Sequence, residues 1–557
     1  MKRPRLHGTD GIRGRIELFD GDDVGALNAL IEQRVLSNRS MRIIGEATGL
    51  YLVEDVGDLP LVMIGWDRRD GNAELVDALE SGLESAGCRT LRIGEVPTPG
   101  LHHAVLASAA DAGMMVTASH NPATDSGVKF FDSEGYKSMP EAEDRISTLA
   151  WELADGGLAA PQEKSESLEG IDGLSLYRDA LKMRLQVFES LFDVDFESVD
   201  WRDIVAQQGL ILDCSGGAAT DWLALGLCRR GLKTIEVSSR FSPINHNCGA
   251  GDFSPTAKWT TQELLMSADE EPTHQLIFQI VLALQENDGA TFWEPGQIVG
   301  AALDGDGDRC LLIEGTSDGL QIVDGDRMCD DIMRAAISTR PGSWKMAASI
   351  ESDLGLTADL PRLGEHVAIT TAVGDRWLSA ALCSESGEKF LRSLEFPRVI
   401  GTEDSGHLVM PAPCPNQDDS WGLVGDGAAT LLASLLARAV LSKDFATSAF
   451  RGGWKKRISI QPSVRERWTG ANELSELVRT TAEQWCGAKL VQTEVEGEAA
   501  LQLLEGALNG LPISIAVRNS GTEAKTSISI RFARGIKADG DELMSQLEDA
   551  LKPHLSP

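Results

Sequence analysis

Gly113-Met114-Met115-Val116-Thr117-Ala118-Ser119-His120-Asn121-Pro122 is the stretch on which the reading of this 557-residue chain turns. Residues 113–116 form a short apolar run of buried-strand character. Pro122 and the turn formers after it end that strand, so Ser119 stands at a strand-to-loop corner. A rigid sheet presents such a side chain to a cleft. Ser and Asn also favour turns for local reasons alone, so the corner by itself fits an ordinary capped turn. Ten residues on, in Asp125-Ser126-Gly127-Val128-Lys129, comes a lysine.

Outward from this corner the pattern alternates. Residues 61–65 and 90–93 read as strands, and 73–86 and 100–110 as helices. Such alternation implies a parallel sheet covered by helices. Upstream, His7-Gly8-Thr9-Asp10-Gly11-Ile12-Arg13-Gly14 packs three glycines around Arg13, a sign of tight turns.

The balance of 51 Lys and Arg against 85 Asp and Glu gives a formal charge of −34. That excludes nucleic acid and anionic membrane as partners. A phosphate-bearing substrate would need clustered local cations, which is feasible because screening limits the global field to roughly 8–10 Å. The nine cysteines form no C-x-x-C pair and read as reduced thiols in a cytoplasmic setting. No apolar run has membrane-span length; 428–441 contains Arg438 and reads as a buried helix. The N-terminus, Met1-Lys2-Arg3-Pro4-Arg5, lacks the apolar core of a signal peptide.

Three further polar loops follow apolar runs. After an acidic connector at 152–173, a helix at 176–192 leads into a second α/β unit. It ends in the strand 299–303 and then Asp304-Gly305-Asp306-Gly307-Asp308-Arg309. Carboxylates at alternate positions suit a hard cation bound through oxygen. An EF-hand is excluded, since Arg309 and Gly315 stand where that loop needs Gly and Glu. A third unit carries Val373-Gly374-Asp375-Arg376 and then Gly401-Thr402-Glu403-Asp404-Ser405-Gly406-His407, with Glu, Ser and His at alternate positions. From about Lys443 the character changes: strand, helix, strand, a helix at 498–507, strand, then Arg518-Asn519-Ser520-Gly521-Thr522-Glu523. A guanidinium, hydroxyls and a glycine amide form a phosphate cradle. Strand 526–532 and a helix over 541–551 close the chain.

Taken together, these loops resemble the α-D-phosphohexomutase superfamily, in the family's order and over the whole length. The Ser119, Asp304, Glu403 and Arg518 loops are similar to its phosphoserine, metal, sugar and phosphate loops. Residues 8–14, 373–376 and Ile244-Asn245…Cys248-Gly249 are most similar to the bacterial phosphoglucosamine mutase branch. Departures from the pattern are Ser126, Asp404, Asn519 and Ala524, with insertions expected near 152–173, 267–297 and 338–364.

The resemblance implies an α/β fold, with three consecutive α/β mixed-sheet domains (1–170, 171–312, 313–442) and a C-terminal α+β domain (443–557) around a central cleft. It implies a 1,6-phosphate shift on a hexosamine phosphate through a phosphoserine and a bisphosphate intermediate. The alternatives left open are a glucose or mannose phosphate substrate, a phosphatase using Ser119, and a non-catalytic sugar-phosphate binder. By the same resemblance Ser119, His120, Lys129 and Arg13 are catalytic, and Lys129, its pKa lowered among cations, would accept the hydroxyl proton. Ser119, Asp304, Asp306 and Asp308 hold one Mg²⁺. Arg309, Asp375, Arg376, Glu403, Ser405 and His407 bind the sugar, and Arg518, Ser520, Gly521 and Thr522 the non-reacting phosphate. A sugar bisphosphate is the expected activator. Asp404, an extra carboxylate, is a candidate for an aminosugar's ammonium group.

Overall fold

The computed structural model describes residues 3–8, 10–57, 59–156, 170–267, 274–383, 389–415, 417–441, 449–498, 500–520 and 524–557. Residues 521–523 of the Arg518 loop, Thr9 and most of the connector at 152–173 therefore lie outside the described residues.

Four sheets are strung along the chain. The first contains β1 (Ile12–Ile16), β2 (Val35–Leu36), β3 (Leu61–Trp66), β4 (Arg89–Glu95), β5 (Ala112–Val116) and β6 (Asp125–Asp132), in the order β2-β1-β6-β5-β3-β4. β3 pairs in parallel with β4 and β5, as alternation predicts, but β6 runs antiparallel to both β5 and β1. The sheet is therefore mixed: the eight-residue connection after β5 is too short for a crossover and turns the chain straight back.

The second sheet holds β7 (Leu210–Asp213), β8 (Thr234–Glu236), β9 (Lys258–Thr260), β10 (Ile298–Leu303), β11 (Cys310–Gly315) and β12 (Gly319–Val323), ordered β8-β7-β10-β11-β12-β9. The third holds β13 (Lys345–Ser349), β14 (Val367–Thr371), β15 (Leu391–Arg392), β16 (Val399–Thr402), β17 (Leu408–Pro413) and β18 (Ser420–Gly425), ordered β14-β13-β16-β17-β18-β15. Renumbered within each unit, the second and third orders are the same. In all three units a strand parallel to its neighbour turns back through a short polar loop into an antiparallel strand. Those turns are the Ser119, Asp304 and Glu403 loops. Their chemistry differs, yet they occupy one position in a repeated module.

The fourth sheet is wholly antiparallel: β19 (Trp454–Ile460), β20 (Val491–Thr493), β21 (Gln502–Leu508), β22 (Leu511–Asn519) and β23 (Thr526–Phe532), ordered β19-β23-β22-β21-β20. Its isoleucine-rich face packs on helices Glu473–Cys486 and Gly540–Leu555.

Three expectations are corrected. The helix expected at 498–507 is largely strand β21: Gln502 to Leu508 pair residue by residue with β22, and ladder pairing overrides the helix preference of Leu, Glu and Ala. The region 338–364 is no peripheral insertion, since it supplies β13, which lies between β14 and β16. The boundary at 312 falls inside β11, because β11 and β12 complete the second sheet.

Candidate functional site

Ser119 adopts φ 52°, in the left-handed region, which costs a residue with a Cβ about 1–2 kcal/mol. Its neighbours hold it there. The Ser119 amide donates to Thr117 Oγ1 at 2.8 Å, and its carbonyl accepts from Arg69 Nη2 and Asn245 Nδ2, both at 2.7 Å. Arg69 also donates to the carbonyls of Asn121, Pro122 and Asp125, and Asp67 fixes its guanidinium at 3.0 Å. The bent backbone aims Ser119 Oγ at two groups: Arg13 Nη2 donates to it at 3.1 Å, and it donates to Asp306 Oδ2 at 3.2 Å.

Asp304, Asp306 and Asp308 are all buried. The Asp304 loop is gripped by its surroundings. Asp304 Oδ1 accepts from the amides of Asp308 and Arg309, Thr98 Oγ1 donates to Asp306 Oδ2 at 2.7 Å, and Ala218 N donates to the Gly305 carbonyl. A Cβ at Gly217 would stand 2.2 Å from that same carbonyl oxygen, and one at Gly427 2.3 Å from the carbonyl oxygen of Arg309. One carboxylate oxygen of each aspartate (Asp304 Oδ2, Asp306 Oδ1, Asp308 Oδ1) has no hydrogen-bond partner. Ligand atoms from the three lie within 4.8 Å of one another. Burial together with Asp308 and Asp306 drives the Asp304 carboxyl well above the usual range. Three buried, converging carboxylates, each with one oxygen that accepts no hydrogen bond, fit a small divalent cation.

Cations ring this cluster. Lys129 Nζ lies 2.8 Å from Asp306, 3.2 Å from Asp308 and 3.2 Å from Asp10. Lys137 bridges Asp10 at 2.9 Å, Asp375 at 3.0 Å and Asp308 at 3.5 Å. Burial opposes the charged form of Lys129, but Asp10, Asp306 and Asp308 outweigh it and raise its pKa well above normal. The expected lowered pKa is thus corrected: the near neighbours of Lys129 are carboxylates, and it keeps its proton. His407 Nε2 sits 3.3 Å from Asp375 Oδ2. Burial lowers its pKa, yet Asp308 and Asp375 prevail and lift it to about 8. Its ring fills the space over Gly425, where a Cβ would stand 1.9 Å from Nε2. His120 is half-buried; desolvation, with Arg309 and Arg13, lowers its pKa well below normal, and its Nδ1 has no hydrogen-bond partner. Arg309 stands at the edge of the triad, Nε 3.9 Å from Asp304 Oδ2.

The Glu403 loop sits directly on the Asp304 loop. Cys310 N donates to the Gly406 carbonyl, and a Cβ at Gly406 would stand 2.1 Å from the Cys310 carbonyl oxygen. Glu403 Oε1 accepts from Gly374 N at 2.7 Å, and Ser405 lies half-buried in the same turn. Two expectations change here. Arg376 is engaged with the first unit: its guanidinium donates to the Ser138 carbonyl at 2.7 Å, Glu143 at 2.8 Å and the Gly8 carbonyl at 3.4 Å, which ties the third unit to the first. Asp404 does not await an ammonium, because Lys455 Nζ already holds it at 3.0 Å.

Arg518 belongs to a second cluster. Its Nε and Nη2 donate to Glu351 Oε1 at 3.2 and 3.1 Å, and Nη1 to Glu498 at 3.5 Å. Ser520 is half-buried beside it in sequence, its carbonyl accepting from Arg465 at 2.9 Å. Gly521 and Thr522 lie outside the described residues.

A family model described as phosphoglucomutase/phosphomannomutase, alpha/beta/alpha domain I, matches residues 4–155. Phosphoglucosamine mutase of Jannaschia sp. is 30% identical over 408 residues, 73% of this chain and 74% of its own. The chain belongs to the phosphoglucosamine mutase family, a branch of the phosphohexomutases. Its reaction class is therefore that of a phosphosugar mutase, an intramolecular phosphotransferase. The Lacticaseibacillus casei phosphoglucosamine mutase is 26% identical over 508 residues, 89% of this chain and 92% of its own. The fold matches a phosphoglucomutase/phosphomannomutase family protein of Burkholderia thailandensis, with TM-score 0.59, 20% identity and 99% and 97% of the two chains covered. It also matches the Paramecium phosphoglucomutase pp63/parafusin, with TM-score 0.60, 16% identity and 98% and 94% covered. No helix among the described residues is long and apolar enough to cross a membrane.

Sequence reading gave no site role to Arg69, Thr98 and Lys137, and cited Asn245 only for the family resemblance. Arg69, Thr98 and Lys137 follow shortly after a strand end and Asn245 lies in the long loop between β8 and β9, but each acts through atoms remote in sequence.

Proposed function

We propose that this chain interconverts the 6- and 1-phosphates of a hexosamine phosphate, glucosamine phosphate above all, through phospho-Ser119 and a sugar bisphosphate. The observation that carries the reading is Ser119 Oγ, held in a left-handed turn between the Arg13 guanidinium and the aspartate triad. A hydroxyl of the bound monophosphate attacks the phosphorus on Ser119, the bond from phosphorus to Ser119 Oγ breaks, and the proton that the hydroxyl sheds restores the one Lys129 gives to the leaving serine oxygen. Arg13, Lys129 and Lys137 neutralise the transferring group, which is most of what a protein must do in this chemistry. Protonated Lys129 bonds the same Asp306 oxygen as Ser119 Oγ, so it stands ready to protonate the leaving serine oxygen. The sugar then turns over, and its other phosphate returns to Ser119.

Mg²⁺, held by Asp304, Asp306, Asp308 and the serine phosphate, would withdraw charge from the phosphoryl oxygens when bound. Glu403, Ser405 and His407 read sugar hydroxyls, Arg309 and Asp375 border them, and His120 supports the phosphoserine. The Arg518 loop grips the non-reacting phosphate, and a sugar bisphosphate primes the serine. All nine cysteines are unpaired, which supports a reducing, cytoplasmic setting.

The test is incubation with Mg²⁺ and glucosamine 6-phosphate, followed by phosphorus NMR. Isomerised ester supports the reading. Free phosphate would make the protein a phosphatase, and an unchanged spectrum a binder. A higher kcat/KM for glucose or mannose phosphate would overturn the sugar assignment and leave the mutase.

A further inference from the structure

The fourth sheet has one apolar face and one polar face. On the polar face Lys455 and Arg457 of β19, Ser529, Ser527 and Arg531 of β23, and Arg518 of β22 come into register: Arg457 pairs with Ser529, and Arg518 with Ser527. Arg457 and Arg518 thus lie diagonally across β23, with two serines between them. One carboxylate spans both. Glu351, just past β13, accepts from Arg518 Nε and Nη2 on Oε1 and from Arg457 Nη1 on Oε2. A cavity of about 280 Å³ opens beside this pair, lined by Glu351, Arg457, Ser529 and, from the second unit, Ser254 and Thr256.

We infer that Arg457 is a second guanidinium for the substrate's non-reacting phosphate, and that Glu351 is a resident anion bridging Arg457 and Arg518 which that phosphate must displace. The inference rests on the reading of Arg518 given above. A carboxylate accepting from two guanidiniums at once presents them with the same oxygen acceptors as a phosphate. Burial raises the Glu351 carboxyl, but Arg518 and Arg457 win and hold it at about 2, so at any working pH it is a full negative charge. Pairing keeps two guanidiniums aligned when no ligand is bound and lowers the apparent affinity for phosphate by the fraction of molecules in which the site is filled. Displaced Glu351 enters the adjoining cavity, where Ser254 and Thr256 offer hydroxyl donors.

The test titrates the full-length protein with inorganic phosphate by calorimetry at fixed ionic strength, taking as this site's share the binding that Arg518→Ala removes. Glu351→Gln should tighten that share about tenfold, and Arg457→Gln should weaken it about tenfold in both the native and the Glu351→Gln backgrounds. The Arg457 side chain is 35% exposed, so Arg457→Gln stays folded even if Glu351→Gln does not, and its result alone decides the second guanidinium. Unchanged affinity in Arg457→Gln, or equal or weaker affinity in folded Glu351→Gln, would overturn the inference. Should Arg518→Ala remove no binding, the phosphate-loop reading itself fails; should it remove binding while the other variants behave as wild type, only this inference does.

Discussion

The two ends of the site are built differently. At the Ser119 end the loops themselves are gripped through main-chain atoms: Arg69 and Asn245 hold carbonyls, Asp304 receives amides, and glycines at 217, 406 and 427 let backbones touch; the ion pairs of Lys129 and Lys137 are laid over that backbone frame. At the Arg518 end the contacts are ion pairs between long side chains, Arg518 and Arg457 with Glu351, and Lys455 with Asp404. Backbone-anchored groups have one arrangement, whereas ion-paired arginines can exchange one anion for another. The contrast matches the work proposed for each end. Phosphoryl transfer needs fixed geometry, while a sugar that reorients needs a grip that can be made and released.

The contrast breaks first if the rigid end is dispensable. Ser119→Ala should lower kcat about 10³-fold or more, the scale reached when a covalent nucleophile is removed, and intact-mass measurement should lose a phosphate adduct mapped to this peptide. Near-normal turnover would end the covalent reading. Asp306→Asn comes next. It removes the carboxylate's charge and leaves one oxygen to serve both the proposed metal and the donors Ser119 and Lys129, so kcat should fall about 10²–10³-fold, and chelator should abolish wild-type turnover until Mg²⁺ is restored. Full activity in excess chelator would remove the metal from the account.

The adaptable end should fail in another way. Arg518→Ala loses charge-assisted hydrogen bonds of about 1.5–3 kcal/mol each, so KM should rise by one to two decades and bisphosphate should escape into solution. The phosphoenzyme fraction should stay near wild type, because no contact of Ser119 is touched. Loss of phosphoserine with normal substrate binding would erase the division between the ends.

How much of this the chain announces follows from where the contacts come from. The four loops are legible because a run of Gly, Asp, Ser and His between apolar strands has few other uses, and the module's alternation of strand and helix is written in periodicity. The repeated strand order is not, since the three units share a plan without sharing residues. Local propensity misread 498–507, where Gln502-Leu503-Leu504 suits a helix until β22 offers a ladder. Arg376 and Asp404 lie in motif positions but spend their charge on Glu143 and Lys455, partners 233 and 51 residues away. Lys129 shows the same limit: its pKa is set by Asp10, Asp306 and Asp308, two of which come from another unit.

The smallest effect concerns acid. Three histidines are buried and held neutral, chiefly by desolvation: His7 at about 3, aided by Arg5 and Arg376, and His102 and His274 at about 4. Each pKa is depressed below the ordinary 6.5, so unfolding takes up protons. Their stabilisation is complete above pH 6.5 and is lost as pH falls through 6.5 toward 4. His102 matters most to the rigid end. Its Nδ1 donates to the Gly135 carbonyl at 2.7 Å, its ring abuts Gly422 of the third unit, and its helix, Thr98–Ala107, carries the threonine bonded to Asp306. At about 1.4 kcal/mol per pKa unit, a shift from 6.5 to about 4 makes His102 worth about 2–3 kcal/mol across this window. His102→Gln keeps a donor for Gly135 and removes the titration, so the fall in unfolding free energy between pH 7 and 4.5 should be shallower by about that amount, whatever its absolute stability. The Glu351 pair, ionised down to about pH 2, should hold through the same window. Phosphate takes up a proton of its own near about pH 6, so the probe here is sulfate, which stays a dianion, and the share of sulfate binding that depends on Arg518 should persist where the rigid end has begun to loosen. An equally steep loss of stability in the variant, or a sulfate grip that weakens before stability falls, would show that acid does not tell the two ends apart.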